Sequence, residues 1–249
     1  MNILLTNDDG YKASGINQLF KTLCTEHKVF LIAPKENCSG MSAAISLRKE
    51  IKVEEISDNI FSVSGTPADC SYLGLLSVIP EPIDMIVSGI NLGANLGEDI
   101  FYSGTVGAAI AGRRLNYVPI AFSVAAYNPK NLKYIAEQSL MITNQVSKLP
   151  SDQNLLVNVN FPDLPSSKIK GVRITSLGKR GVPDTPDLIR HEDSAKFYSF
   201  GPSGALLPDQ VRTDIQAIEQ NYISISILDY NLGADLVRWD FYKEVFNCE

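Results

Sequence analysis

The sequence predicts an α/β fold in which helices pack against a mostly parallel sheet. Two short apolar runs, at residues 3–5 and 29–33, have the length and composition of buried strands. Between them, residues 13–26 carry apolar side chains at the three- and four-residue spacing of a helix, namely Ile16, Leu19, Phe20 and Leu23. A strand, a helix and a strand with short connections form a βαβ unit, whose strands lie parallel with a right-handed crossover.

Further apolar runs extend this sheet along the first two thirds of the chain. They predict strands at residues 45–53, 59–63, 85–87, 118–123 and 155–159. We expect the first two of these strands to form an antiparallel pair.

Three more helices are expected between these strands. One begins near Thr66, which suits an N-cap, because Pro67 suits the first helical position and Asp69 lies near the positive end of the helix dipole. The other two are expected at residues 103–112 and 131–147.

The pattern changes after residue 160. Strands are expected at residues 168–175, 196–200 and 222–228, and helices at 215–219 and 235–246, the last containing Trp239. We therefore assign residues 1–160 to the α/β core and residues 161–249 to an appendage of hairpins and a helix. Exposed hairpins are natural oligomerisation arms, so we expect a homo-oligomer.

Composition excludes several classes of protein. A formal charge of −6 argues against a basic groove for a nucleic-acid polymer. The four cysteines form no CxxC pair, which favours a reduced, cytoplasmic setting over a zinc ribbon or a disulfide scaffold. No apolar run approaches the roughly 20 residues of a membrane helix, and no signal peptide is expected. His27 and His191 have no ligand-like spacing, so a histidine-rich zinc site and a Ser-His-Asp triad are both disfavoured.

The candidate chemistry begins at Asp8 and Asp9, directly after the first strand. Turn residues break the strand here, so the two carboxylates can converge instead of pointing to opposite faces. A hard divalent cation offsets the repulsion between converging carboxylates. The pair therefore indicates a Mg²⁺ or Mn²⁺ site at the carboxyl edge of the sheet, with a solvated Asx turn as the alternative.

Two loops are expected to reach the same edge. The first carries Ser39 and Gly40, which can offer a hydroxyl and backbone N–H groups, although a plain connecting loop is the alternative. The second starts at residue 88, with glycines at positions 89, 93 and 97 among polar side chains. Its Asn91 and Asn95 can offer amide oxygens to a cation or N–H groups to an anion.

The second loop leads into a helix that begins at Ser103, Gly104 and Thr105. Unpaired N–H groups, two hydroxyls and the positive end of a helix dipole suit a phosphate. An ordinary capped helix is the alternative, but a long loop inside a compact domain is more often functional.

Four separated motifs together resemble the SurE (survival protein E) family of metal-dependent 5′-nucleotidases. They are Ile-Leu-Leu-Thr-Asn-Asp-Asp-Gly at residues 3–10, Ala-Pro-(x)₃-Cys-Ser-Gly at 33–40, Gly-Thr-Pro-Ala-Asp-Cys at 65–70 and the glycine-rich run through Tyr-Ser-Gly-Thr-Val at 88–106. The resemblance implies a Rossmann-like, three-layer core with a C-terminal appendage used in oligomerisation, as a homodimer or homotetramer. After residue 178 the chain departs from the Asp-Pro-Arg-Gly-like pattern of the family.

The resemblance also implies a reaction and a site. The reaction is hydrolysis of nucleoside 5′-monophosphates, and often 3′-monophosphates, with one divalent cation per subunit. Asp8, Asp9, Ser39 and Asn91 would be the metal ligands, and Asn95, Ser103, Gly104 and Thr105 would surround the phosphate. The catalytic residues would be Asp8 and Asp9.

Two questions stay open from the sequence. The attacking group is either a metal-activated water with Asp8 or Asp9 as its base, or Asp8 itself through an aspartyl-phosphate. The alternative function is a nucleotide-binding sensor without catalysis, although a phosphate sensor gains little from two anions beside its ligand.

Overall fold

The computed structural model describes residues 1–150, 154–200, 204–205, 207 and 211–230. The helix predicted at residues 235–246, with Trp239, lies outside these residues. Within them, no helix is long and apolar enough to cross a membrane.

A nine-stranded sheet organises the described part of the chain, with strands in the order β3-β4-β2-β1-β5-β6-β7-β11-β8. Its strands are β1 (Asn2–Thr6), β2 (Lys28–Pro34), β3 (Val53–Ser57), β4 (Ile60–Val63), β5 (Met85–Leu92), β6 (Ile120–Val124), β7 (Leu155–Phe161), β8 (Val172–Ile174) and β11 (Ile223–Asp229). A separate two-stranded hairpin pairs β9 (Asp187–Glu192) with β10 (Ala195–Ser199).

The centre of this sheet is parallel, as the βαβ pattern predicts. Strands β4, β2, β1, β5, β6 and β7 all pair with parallel neighbours. From β1 the chain first builds outwards to β2 and β4, and then returns to the other side of β1 to add β5, β6 and β7. The strand order therefore reverses between β1 and β5, which is where open α/β sheets bind their ligands.

Helices cover both faces of the sheet and complete three layers. They are α1 (Ser14–Leu23), α2 (Pro67–Leu73), α3 (Gly104–Ile110), α4 (Leu132–Val146) and α5 (Asp214–Glu219). Helices α1 and α4 pack together on one face, and α2 and α3 on the other. Neighbouring residues of β1 serve different cores, because Leu5 packs on the α1 side while Leu4 packs on the α2 side.

The start of α2 confirms the predicted cap. The Thr66 hydroxyl accepts a hydrogen bond from the Asp69 backbone N–H at 3.1 Å, and the Asp69 carboxylate accepts one from the Thr66 N–H at 2.9 Å. Pro67 occupies the first helical position. This reciprocal pair is a capping box, which satisfies two of the N–H groups that a helix start leaves unpaired.

The prediction of a strand at residues 45–53 is wrong for residues 45–52, because β3 begins only at Val53. The beginning of this segment is held by the start of α2, because Ser46 N–H donates to Asp69 Oδ1 and the Thr66 hydroxyl donates to the carbonyl oxygen of the preceding residue, Ala44. Arg48 takes a left-handed backbone conformation with φ of 58°, which no regular strand contains. The antiparallel pair is therefore shorter than expected, since it consists of β3 and β4 alone.

The strand predicted at residues 85–87 is longer in the structure, because β5 continues to Leu92. An irregularity between Ser88 and Asn91 lets pairing with β6 resume, so Asn91 lies opposite Ser123. A side chain at position 89 would clash with the Phe122 carbonyl oxygen at 2.2 Å, so the close approach requires Gly89. Asn91 is thus a strand residue and not a loop residue.

The sheet does not end at residue 160. Strand β11 adds antiparallel to β7, and β8 adds parallel to β11. The strand predicted at residues 168–175 is reduced to β8. The charged segment before residue 196 contains β9, a strand that the sequence did not predict. Only the β9–β10 hairpin among these described strands lies outside the main sheet.

Candidate metal and phosphate site

Asp8 and Asp9 lie immediately beyond the carboxyl end of β1, and Asn91 lies near the carboxyl end of the adjacent strand β5. The site therefore lies at the point where the strand order reverses. The β1 strand ends in a turn held by Asn7, whose amide accepts from Gly10 N–H at 3.2 Å and donates to Gly10 O at 3.0 Å. Gly10 has φ of 100°, which the sharp exit of the chain requires.

The turn is not a solvated one, because Asp8 is 4% exposed. Burial raises the pKa of Asp8 to about 6, and the charge of Asp9 adds to this, while hydrogen bonds from the hydroxyl and backbone of Thr105 lower it. The hydroxyl bond joins Thr105 Oγ1 to Asp8 Oδ1 at 2.5 Å. Burial and the charge of Asp9 both disfavour the ionised form of Asp8. A nearby cation would stabilise that form.

Asp9 is only half-buried. Its Oδ2 accepts from the Leu92 backbone N–H at 3.0 Å, so the carboxylate is joined to the end of β5. Burial raises the pKa of Asp9, and the bond from Leu92 lowers it. The two carboxylates thus have different surroundings at one edge of the sheet.

The loop after β2 reaches the same two residues. Cys38 N–H donates to the Asp8 carbonyl oxygen at 2.7 Å, and the Asn37 amide lies 3.4 Å from Asp9 Oδ1. Ser39 follows directly and is exposed, with its N–H bonded to Asn37 Oδ1 at 3.0 Å. The structure therefore brings Ser39 to the edge that holds the carboxylates, as the sequence predicts.

The combined donor set fits a hard cation. Asn91 donates its amide N–H to Gly93 O at 2.9 Å, which turns its carbonyl oxygen away from Gly93. Two carboxylates, a hydroxyl and an amide oxygen are ligands that suit Mg²⁺ or Mn²⁺. In the described ranges, no group of three or more His, Cys, Asp or Glu side chains could hold a metal, so no nitrogen- or sulfur-rich zinc site is formed there.

Two of the four predicted phosphate residues, Gly104 and Thr105, lie directly against Asp8, and Asn95 and Ser103 are joined to the same helix start. Asn95, Ser103 and Thr105 are each at most 7% exposed. The Ser103 hydroxyl caps α3 by accepting from Val106 N–H at 3.1 Å. Helix α3 begins at Gly104, where an added Cβ would lie 2.8 Å from the Asp8 Cβ. The start of α3 is therefore packed directly against Asp8.

The glycine-rich loop is fixed by residues from the C-terminal part of the chain. The buried Asp214 carboxylate accepts from Gly97 N–H at 2.7 Å and from Gly178 N–H at 2.8 Å. Arg180 forms an ion pair with Asp99 at 3.1 Å. The sequence predicts only a helix at residues 215–219, and a polar residue just before a helix gives no sign of such a distant partner.

Sequence reasoning also missed two buried amides on β7, Asn158 and Asn160. Both side chains bond to the backbone of Asn95. The signal was present as polar residues at alternate positions of an otherwise apolar strand, which place two amides on one face of the sheet.

Comparisons with known proteins identify relatives of the whole chain. The family model described as Survival protein SurE matches residues 3–184. The chain is 38% identical to "5′-nucleotidase SurE" of Vesicomyosocius okutanii over 93% of this chain and 92% of that protein, and 38% identical to the protein of the same name in Pseudoalteromonas atlantica over 96% and 98%. The crystal structure of SurE protein from Aquifex aeolicus superposes with a TM-score of 0.84 at 33% identity, covering 99% of this chain and 100% of that one.

Proposed function

This chain belongs to the Survival protein SurE family, and we propose that it is a metal-dependent 5′-nucleotidase that hydrolyses nucleoside 5′-monophosphates to a nucleoside and phosphate. The observation that carries the proposal is that Asp8 and Asp9 follow β1 where the strand order reverses, with Asp9 bonded to Leu92, the neighbour of Asn91 on β5. Relatives that cover more than nine tenths of the chain are named for this activity.

Asp8, Asp9, Ser39 and Asn91 hold one divalent cation per subunit, Mg²⁺ or Mn²⁺. The support is the oxygen-only donor set and the burial of Asp8, whose negative charge is costly without a cation. The proposed ligands lie on three segments: the turn after β1, the loop after β2 and the end of β5. The hydrogen bonds from Cys38 to Asp8 and from Leu92 to Asp9 join these segments and fix their relative positions.

The phosphate of the substrate lies among Asn95, Ser103, Gly104 and Thr105. The packing of Gly104 against Asp8 supports this, because a phosphate there would be within reach of both the cation and the start of α3. Because Gly104 has no Cβ, the start of α3 can lie this close to Asp8. The Thr105 hydroxyl is directed at Asp8, so its contribution is to orient the carboxylate.

When bound, the cation would neutralise charge that develops on the phosphoryl group and favour deprotonation of a water. Asp8 and Asp9 are the groups within the site that can take the proton of an attacking water. The turn at Asn7 and the bond from Thr105 hold Asp8 in one orientation, which lowers the reorganisation needed during the reaction.

A direct assay tests the proposal. Phosphate release from AMP should require added Mg²⁺ or Mn²⁺ and stop with EDTA, and parallel assays with 3′-AMP would show whether 3′-monophosphates are also substrates. Nucleotide binding without phosphate release, in the presence of either cation, would contradict the enzyme assignment and favour a nucleotide sensor.

The β9–β10 hairpin acts as an oligomerisation arm in a homodimer or homotetramer. An isolated two-stranded hairpin is marginally stable in water, yet Leu188, Ile189 and Tyr198 are each more than half exposed on this one. A second copy of the chain would cover these side chains. The enzyme works in the cytoplasm, a location supported by three free cysteines among the described residues.

A further inference from the structure

Strand β7 carries two asparagines that its place in the sheet does not explain. Asn158 and Asn160 are completely buried, on a strand whose other central positions are apolar. A buried amide is costly unless its hydrogen bonds are made. Valine or isoleucine would serve the sheet at least as well, so the two amides need another reason.

Both amides are used to hold the backbone of one residue, Asn95. Asn160 Oδ1 accepts from Asn95 N–H at 2.9 Å, and Asn160 Nδ2 donates to Asn95 O at 2.8 Å. Asn158 Nδ2 donates to the same carbonyl oxygen at 2.9 Å. We call Asn158 and Asn160 the amide clamp. Three hydrogen bonds to side chains thus fix the backbone of Asn95, a loop residue that lies in no strand.

Because the backbone of Asn95 is fixed, its side chain is directed towards Ser123 and Thr105. Its Nδ2 donates to Ser123 Oγ at 2.8 Å and lies 3.4 Å from Thr105 Oγ1. Thr105 in turn donates its hydroxyl to Asp8. The donor and acceptor roles are consistent along this path. Thr105 Oγ1 accepts from Asn95 Nδ2 and donates its own hydrogen to Asp8 Oδ1.

We propose that Asn160, together with Asn158, is a positioning residue for the active site: the amide clamp holds Asn95, Asn95 orients Thr105, and Thr105 orients Asp8. The expected effect on catalysis rests on the proposed function. The hydrogen bonds that join the amide clamp to Asp8 do not depend on that function. A merely structural role for the amides is less consistent with Asn158 Oδ1, which is buried without a hydrogen-bond partner. A residue kept for stability alone would not leave such a group.

A double-mutant comparison tests the path. Asn160→Ala should lower kcat/KM for AMP by about tenfold or more, which is the range in which partners of metal ligands act. In an Asn95→Ala background the same change should cost less than about twofold, because the side chain through which Asn160 acts is already gone. A general structural defect would instead reduce activity by the same factor in both backgrounds.

Ser224→Ala is the matched control. Ser224 lies directly opposite Asn160 on β11, is equally buried, and bonds to Thr175 instead of to Asn95. Its removal should leave kcat/KM within about twofold of the wild type, since it takes no part in the path. If Asn160→Ala does not fold, as judged by circular dichroism, Asn158→Ala removes only one of the three bonds to Asn95 and is measured in its place.

Mn²⁺ affinity, measured by isothermal titration calorimetry, gives a second readout that does not depend on turnover. Asn160→Ala should weaken Mn²⁺ binding by about three- to tenfold, and Ser224→Ala should not change it. Unchanged affinity together with equal losses of activity in both backgrounds would overturn the inference. If the wild type itself releases no phosphate, the proposed function fails, and the Mn²⁺ affinities alone decide whether the clamp positions Asp8.

Discussion

The Thr105 hydroxyl donates a hydrogen bond of 2.5 Å to Oδ1 of Asp8, and both side chains are almost completely buried. This bond joins the start of α3 to the end of β1, two elements 97 residues apart in sequence. The Asp8 carboxylate is therefore held in place by a helix on one face of the sheet.

Thr105→Val should lower kcat/KM for AMP by about ten- to a hundredfold, because the isosteric side chain fills the space but cannot orient Asp8. Thr105→Ser keeps the hydroxyl and should stay within about threefold of the wild type. Steady-state kinetics at saturating Mn²⁺ compare the two variants. Equal activity in Thr105→Val and the wild type would show that the bond does not matter for turnover.

Asp8→Asn should stabilise the metal-free protein at pH 8. The pKa of Asp8 is raised from 3.8 to about 6 in the folded chain, so the folded state holds this proton more tightly than the unfolded state. The stability that the protonated group contributes is complete below pH 3.8 and is lost as pH rises through about 6. Removing the charge should therefore recover about 3 kcal/mol of the free energy of unfolding at pH 8.

Urea unfolding in EDTA measures this effect at two pH values. The wild type should lose about 1 kcal/mol more than Asp8→Asn does between pH 5 and pH 8. A variant that is less stable than the wild type at pH 8 would mean that the buried carboxylate is already well compensated without a metal.

Gly104→Ala should reduce both stability and activity, since the new Cβ would lie 2.8 Å from the Asp8 Cβ. We expect a loss of about 1–3 kcal/mol in the free energy of unfolding, typical of overpacking, and a displaced Asp8 carboxylate. Gly181→Ala is the control, because its Cβ would meet nothing closer than 3.6 Å among the described atoms. A Gly104→Ala enzyme with normal kcat and normal stability would contradict the close packing of α3 on Asp8.

Changing both Leu188 and Tyr198 to Asp should reduce the oligomeric mass of the protein in solution. These side chains are cross-strand partners in the β9–β10 hairpin, and both are exposed in the single chain. Two buried charges would oppose association. Light scattering on a sizing column gives the mass, with Lys196→Ala in the same hairpin as the control. A wild type that is already monomeric, or a double variant of unchanged mass, would exclude the arm.

The sequence predicted the central sheet and the start of α2 because their signals are local. The buried strands at residues 3–5 and 29–33 and the capping box of Thr66 and Asp69 each depend on a few neighbouring residues. The two carboxylates were also recognisable, since turn residues end β1 just before them. These local patterns predict the position of the candidate site, at the carboxyl edge of the first strand.

The features that sequence reasoning missed all depend on distant partners. Residues 45–52 have the apolar content of a strand, but the backbone of Ser46 is bound to Asp69 at the start of α2. Asp214 and the amide clamp on β7 serve residues of the glycine-rich loop that are 117 and more than 60 positions away in sequence. Such partnerships follow from the order of the strands in the sheet, which periodicity alone does not specify.

The measurement that tests the central claim most directly is phosphate release from a panel of 5′- and 3′-nucleoside monophosphates, with EDTA, Mg²⁺ or Mn²⁺, by the wild type and Asp8→Asn. Asp184→Asn is the control, because Asp184 is exposed and is not one of the proposed metal or phosphate residues. We expect release that requires the cation, falls by at least about a hundredfold in Asp8→Asn and is unchanged in the control. Absence of release with either cation, while nucleotide still binds, would contradict the assignment of this site as a nucleotidase centre.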